Sequence, residues 1–481
     1  MQSNLTRRRL LTAIGSTATL AGLDLLLPLR ARAEDLASKR PLAADRKFRS
    51  QAVEDYIKSV QKRIGDPGIS WLFGNCFPNT LDTTTEAGTF EGQPDTAVIT
   101  GDIPAMWLRD SCAQVWPYLQ FAKHEESMRR MLEGLVRRQA RCILIDPYAN
   151  AFMADLTATP LQARPEDLAD EKQGVGERKW ELDSLCFVIR LAYAYWKQTD
   201  DTRPFETQWK RAMSLIVKTM REQQRKDGDG PYKYLRTTNI STETVAGQGY
   251  GNPVNPVGLI ASDFRPSDDA CIFLFLVPAN LMAVTSLRQL AEMADKILHD
   301  SELATDAHSL AQEVSAALEK YGKAPTPQGP IWAYEVDGYG SQLLMDDAGL
   351  PSLLSLPYLD CSPDPAVYQR TRAFAWSKRD PYFFQGKAGA AVGGPHIGKN
   401  MVWPMAQVSY AITSDSDVEI SEMLVMLKSA AMATGFIHES YNKDDSTNFT
   451  RPWFAWMNSY FGELVAGLAD KKPSLLRHIA V

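Results

Sequence analysis

Hydrophobic positions in this chain recur mostly at intervals of three and four, the period of helices that bury one face, and only rarely alternate as in a half-buried strand. In residues 125–145, Met128, Met131, Leu132 and Leu135 hold that spacing. A long amphipathic helix is predicted there. Residues 181–196 are apolar on several faces, which marks a helix enclosed by others. Further helices are predicted at 54–63, 204–225, 303–321, 365–377, 417–434 and 451–468, with a helical pattern also starting at Ser111. Residues 268–298 read as one more helix, apolar all round at first and charged later, with Ser267 at its N-cap and Pro278 predicting a kink or a break. Thr450 stands at the N-cap position of 451–468, and Gly435 at the C-cap position of 417–434.

Strand signals are short: 97–100, 232–236, 332–336 and 382–384. Buried helices alternating with amphipathic ones, joined by polar loops that carry aromatics and acids, predict an all-α fold. It would be a double ring of inner and outer helices with its loops collected at one end. No Pro-, Gly- or Ser-rich linker long enough to divide the chain occurs, the run 322–329 being the nearest to one. A single domain is expected.

Composition narrows the partners. The chain has 481 residues, 44% hydrophobic and 23% charged, with a net charge of −6, which describes a globular protein without a basic patch for nucleic acid or an anionic membrane. A neutral substrate fits this better. Residues 1–33 read as a twin-arginine export signal. Thr6-Arg7-Arg8-Arg9-Leu10-Leu11 opens it, an apolar run broken by Asp24 and Pro28 follows, and Ala31-Arg32-Ala33 forms the cleavage site. Residues 34–481 are then a periplasmic or secreted domain with no membrane partner. Six cysteines lie without C-x-x-C spacing, mostly beside apolar residues, so they read as small buried hydrophobes rather than zinc ligands or a redox pair.

Two loops carry the chemistry. Asp268 and Asp269 adjoin Arg265, and the sequence leaves two readings open: carboxyls that do acid/base work, or first-turn acids that complement a helix dipole. A helix N-terminus would lower a carboxyl pKa where a general acid needs it raised. The second loop carries Glu439 after His438, followed closely by Trp453 and Trp456, which offer either a stacking wall or core packing. Arg109 and Asp110 suit a clamp on hydroxyls or a pair with each other, and His396 suits a hydroxyl contact. No glycine-rich phosphate loop, G-x-S-x-G elbow or H-E-x-x-H helix is present, and no metal or cofactor is expected. Carboxyls on separate loops, tryptophans and no cofactor motif describe carbohydrate chemistry. Glycoside hydrolysis needs one carboxyl as acid and another to activate water or attack the anomeric carbon.

Longer blocks carry a resemblance. Thr100-Gly101-Asp102-Ile103-Pro104-Ala105-Met106-Trp107-Leu108-Arg109-Asp110-Ser111, Glu181-Leu182-Asp183-Ser184-Leu185-Cys186, Phe264-Arg265-Pro266-Ser267-Asp268-Asp269-Ala270, Met345-Asp346-Asp347-Ala348 and His438-Glu439, the last followed by Phe449-Thr450-Arg451-Pro452-Trp453, resemble glycoside hydrolase family 125. The similarity runs from about residue 69 to about residue 465. It implies an (α/α)6 barrel of six-hairpin glycosidase type. It also implies metal-independent, inverting, exo-acting removal of terminal α-1,6-linked mannose from an oligosaccharide or glycan. Carried over by position, Asp268 is the general acid and Glu439 the general base, with Arg109, Asp110, Arg265, His396 and His438 holding the sugar. The competing readings are another inverting glycosidase on the same barrel, of glucoamylase or trehalase type, and a silent sugar-binding protein. The presence of both Asp268 and Glu439 argues against the last.

Overall fold

The computed structural model describes residues 36–160, 170–361 and 364–479. The export signal read at 1–33 lies outside the described residues. The described residues from Lys39 onward form a second, compact unit, distinct from the residues before them.

The second unit is mainly helical, with strands of two to six residues in its loops. The helix Glu126–Ile145 follows the apolar spacing of its sequence almost to the residue. Against it packs the hairpin Thr85–Phe90/Gln93–Val98, pinned where Arg138 and Arg141 share Asp95. The helix Leu182–Thr199 is buried without interruption from Leu182 to Ala192, as its all-round apolar sequence demands. It lies between the helices Leu108–Val115 and Val277–Lys296, and Leu108–Val115 in turn packs on Ala455–Lys471. These enclosed helices begin at one end of the fold, because Arg109 at the start of one touches Glu181 and Asp183 at the start of the next and lies 5.9 Å from the Trp456 ring at the start of the last. The helices Thr207–Glu222, Ser301–Tyr321 and Asp417–Ala431 bury fewer of their residues and pack around them.

Four expectations are corrected. The predicted helix 268–298 begins only at Val277, and Pro278 starts it rather than kinking it, since proline in the first turn has no hydrogen bond to lose. Residues 262–276 are instead a loop, buried up to Asp269 and surfacing at Ile272, closed by a bridge between Phe264 and Ala270 and by pairing of Phe275–Leu276 with Glu335–Val336. Ser267 therefore caps no helix. Thr450 ends the strand Asp445–Thr450, and the following helix starts at Ala455. The run 232–236 forms no strand.

Among the helices that escaped the pattern, Pro67–Cys76 and Pro404–Ile412 are each announced by proline in the first turn. The early and late parts of the unit are tied together. Gly65 N–H donates to Leu476 O at 3.0 Å, and Thr80 Oγ1 lies 2.8 Å from Ser459 Oγ.

Candidate active site

The loop bearing Asp268 is a tight, fully enclosed turn. Asp268 N–H donates to Arg265 O at 2.9 Å and Arg265 N–H to Asp269 O at 2.8 Å, which drives Asp268 to φ +72. Aspartate accepts this left-handed backbone more readily than most residues. No helix begins here, so no helix dipole acts on the Asp268 carboxyl. Arg265 is not the partner of Asp268. Its Nε donates to Glu335 at 2.6 Å, and Glu335 also accepts from the backbone of Ile272 and Phe273 at 2.9 Å each, so Arg265 fastens the loop from behind. Ser267 Oγ donates to Asp347 at 2.7 Å. Burial pushes the Asp347 carboxyl up to about 6, Asp269 adding to the effect and Arg265 opposing it.

The loop bearing Glu439 is held by the hairpin Ser440–Asn442/Asp445–Thr450. Thr450 Oγ1 donates to Glu439 Oε2 at 3.0 Å, and an Arg451 guanidinium nitrogen lies 3.5 Å from Glu439 Oε1. Asp102 fixes the same guanidinium from its other side. His438 faces inward, stacked on Phe449 with ring centres 3.7 Å apart, its Nδ1 donating to Arg451 O at 3.3 Å and its Nε2 3.0 Å from Thr434 Oγ1. Burial drives its pKa down to about 4, so it is neutral. Like Arg265, it supports its loop from within.

His396 stands beside the Asp268 loop. Its Nδ1 lies 3.5 Å from Asp269 Oδ1, an ion-pair separation. Burial works against its charge, but the adjoining Asp269, with Asp268 and Glu439 behind it, raises the imidazole to about 9. One cation therefore stands in the field of both carboxyl-bearing loops. Asp268 and Glu439 are nearly equally shielded, 7% and 8% exposed. The Asp269 carboxylate accepts no hydrogen bond among the described residues.

Around Asp268 stand groups that sequence reasoning did not single out. Lys179 Nζ donates to Asp268 O at 3.0 Å. Burial opposes the charge of Lys179, yet Glu177, Glu243 and Asp268 keep its pKa above the ordinary value. Arg109 donates to Glu181 at 2.6 Å and to Asp183 at 2.9 Å, closer than its 3.7 Å approach to Asp110. Burial raises both Glu181 and Asp183 against the pull of Arg109. Asp110, raised by burial, accepts from Thr100 Oγ1 at 2.6 Å and lies within the field of Asp268. The missed signal was positional: Glu181 and Asp183 immediately precede or open an enclosed helix, as Arg109 and Asp110 do.

Trp456 is core packing beneath Arg109, whereas Trp453 precedes the helix and is only half-buried. The six cysteines are all buried. Among the described residues no group of three or more His, Cys, Asp or Glu side chains is placed to hold a metal ion. The arrangement offers two shielded carboxyls from different loops, an imidazole beside Asp269, and a surrounding set of ion pairs. That is equipment for acid/base work on a polar, uncharged substrate.

Residues 66–466 match the family of metal-independent α-mannosidases, glycoside hydrolase family 125. The chain is 40% identical over 461 residues, 92% of its length and 90% of the relative's, to the meiotically up-regulated gene 157 protein of Schizosaccharomyces pombe. Among solved structures it is similar to a metal-independent α-mannosidase of Streptococcus pneumoniae in a non-productive complex with α-1,6-mannobiose. The TM-score is 0.84 at 36% identity, covering 89% of this chain and all of that one.

Proposed function

Because this chain belongs to the metal-independent α-mannosidases of glycoside hydrolase family 125, we propose that it removes non-reducing terminal α-1,6-linked mannose with inversion, acting from the chain end of a glycan. Asp268 gives its proton to the glycosidic oxygen as the bond to the anomeric carbon breaks. Glu439 takes a proton from the water that attacks the opposite face. The departing sugar leaves with the proton of Asp268, Glu439 carries the proton of water, and solvent exchange resets both. Inversion requires the two carboxyls to be about 6.5–9.5 Å apart so that water fits between. We assign Asp110 and His396 to the hydroxyls of the terminal mannose, with Arg109, Arg265 and His438 positioning the groups that touch it. The mainly helical fold we read as an (α/α)6 barrel, and residues 1–33 as a twin-arginine signal for export.

One observation supports the reading above others: Asp268 and Glu439, from separate loops, are shielded alike, 7% and 8% exposed, each in a buried polar loop. The α-1,6-mannobiose bound by the pneumococcal relative supports the linkage. Proton NMR of α-1,6-mannobiose during hydrolysis tests it. The first product should be β-mannose, and Asp268→Asn and Glu439→Gln should each abolish its release. Initial α-mannose would mean retention and remove the assigned roles.

A further inference from the structure

We infer that a cavity at the opposite end of the enclosed helices is a second binding site, for a neutral, hydroxyl-rich molecule of monosaccharide size. The cavity measures about 400 Å³, within the range of small-molecule sites. It is lined by Trp116, Arg190, Tyr193, Gln289 and Glu463, among others. Its place follows from helix geometry. Asp183 opens the helix Leu182–Thr199 beside Arg109, and Lys197 on the cavity wall lies about 21 Å further along at 1.5 Å per residue. Asp470 stands at a similar remove from Trp456 on the helix Ala455–Lys471. The cavity is therefore separate from the loops of Asp268 and Glu439, and the inference does not depend on their chemistry.

The lining has unmet hydrogen-bonding capacity of both kinds. Arg190 is 5% exposed, and its guanidinium stacks 3.7 Å from the Trp116 ring centre. Its one hydrogen bond among the described residues is a long contact to Tyr358 O at 3.5 Å, and it forms no carboxylate salt bridge there. Its remaining N–H groups stay open to the cavity, where a bound molecule can reach them. Gln289 Oε1 is buried with no donor among the described residues. Glu463 accepts from Tyr358 Oη at 2.9 Å, and burial pushes its carboxyl up to about 7, so near neutral pH it too can donate or accept.

An anion would satisfy Arg190 and Lys197 but would meet Asp360 and Asp470 on the same wall and leave Gln289 Oε1 unpaired. A hydroxyl donates and accepts at once, so a polyhydroxylated ring answers Arg190 and Gln289 together. The Trp116 and Tyr193 rings supply the apolar wall such a ring favours.

Hydrogen–deuterium exchange of the full chain tests this, with D-mannose, D-glucose and inorganic phosphate as separate probes at tens of millimolar. At least one hexose should slow exchange about twofold or more in peptides covering 116–121, 187–199 and 460–470. Gln289→Ala should remove that protection while leaving turnover at the wild-type rate. Tyr193→Ala at the rim gives an independent second reading should the first variant disturb folding. Protection by phosphate alone, or none in these peptides with either hexose, overturns the inference. Responses in peptides 262–276 and 436–452 report on the catalytic loops and are scored separately.

Discussion

His396 Nδ1 lies 3.5 Å from Asp269 Oδ1, and the proton this contact retains is a component of stability. The folded pKa, about 9, stands above the ordinary imidazole value of 6.5. A raised folded pKa stabilises fully below the unfolded value and is lost as pH rises through the folded one. The contribution is therefore present up to pH 6.5 and fades towards pH 9. With Asp268, Asp269, Glu243 and Glu439 all in the field of this imidazole, it is on the order of 1–3 kcal/mol. His396→Gln should flatten the decline of Tm between pH 6.5 and 9, measured by differential scanning fluorimetry. An unchanged slope would show that the imidazole titrates as in solution.

Substitutions at Asp268 separate chemistry from backbone strain. Asp268→Asn and Asp268→Ala should each lower kcat about 10²–10⁴-fold, as removal of a general acid does. Only the alanine should cost stability, about 1 kcal/mol, because asparagine tolerates the left-handed φ of +72 and alanine does not. Urea denaturation of the two variants decides, and equal midpoints would mean that the turn relaxes.

Arg109 neutralises Glu181 and Asp183 where all three are buried. Arg109→Met leaves two carboxylates uncompensated and should destabilise by about 3–5 kcal/mol. Adding Glu181→Gln should restore part of that loss. A double variant no more stable than the single one would mean that the two side chains act independently.

Gly101 has φ +132, and a Cβ there would sit 2.6 Å from Trp453 O. Gly101→Ala should cost about 2 kcal/mol or more through strain and displacement of the backbone, and should raise KM by moving Asp110 and Arg451 apart. Thermal unfolding and steady-state kinetics on one preparation check both.

The sequence yields most of the helices because long apolar periodicity survives any tertiary arrangement. The stretch 270–277 misleads for a physical reason. An apolar run buried as loop and short strand has the composition of a buried helix, and only Pro278 marks the true start. The carboxyls Asp268 and Glu439 stood out through their loops, as did Asp110. Lys179, Glu181, Asp183 and Asp347 did not, since their interest lies in partners distant along the chain: Lys179 and Asp268 are 89 positions apart, Arg109 and Asp183 74. Arg265 and His438 were legible as unusual residues but not as inward-facing ones, because the partners that claim them, Glu335 and Phe449, follow from the fold alone.

Arg451 holds Glu439 only while Asp102, 349 positions earlier in the chain, holds Arg451. A polypeptide leaving the ribosome has Asp102, Arg109 and Asp268 in hand long before the second carboxyl exists. The wall that steadies that carboxyl draws on the strand Asp445–Thr450 through Thr450 and on the segment that follows it through Arg451. The support of Glu439 is thus a long-range product of folding, not a property of the local loop that bears it.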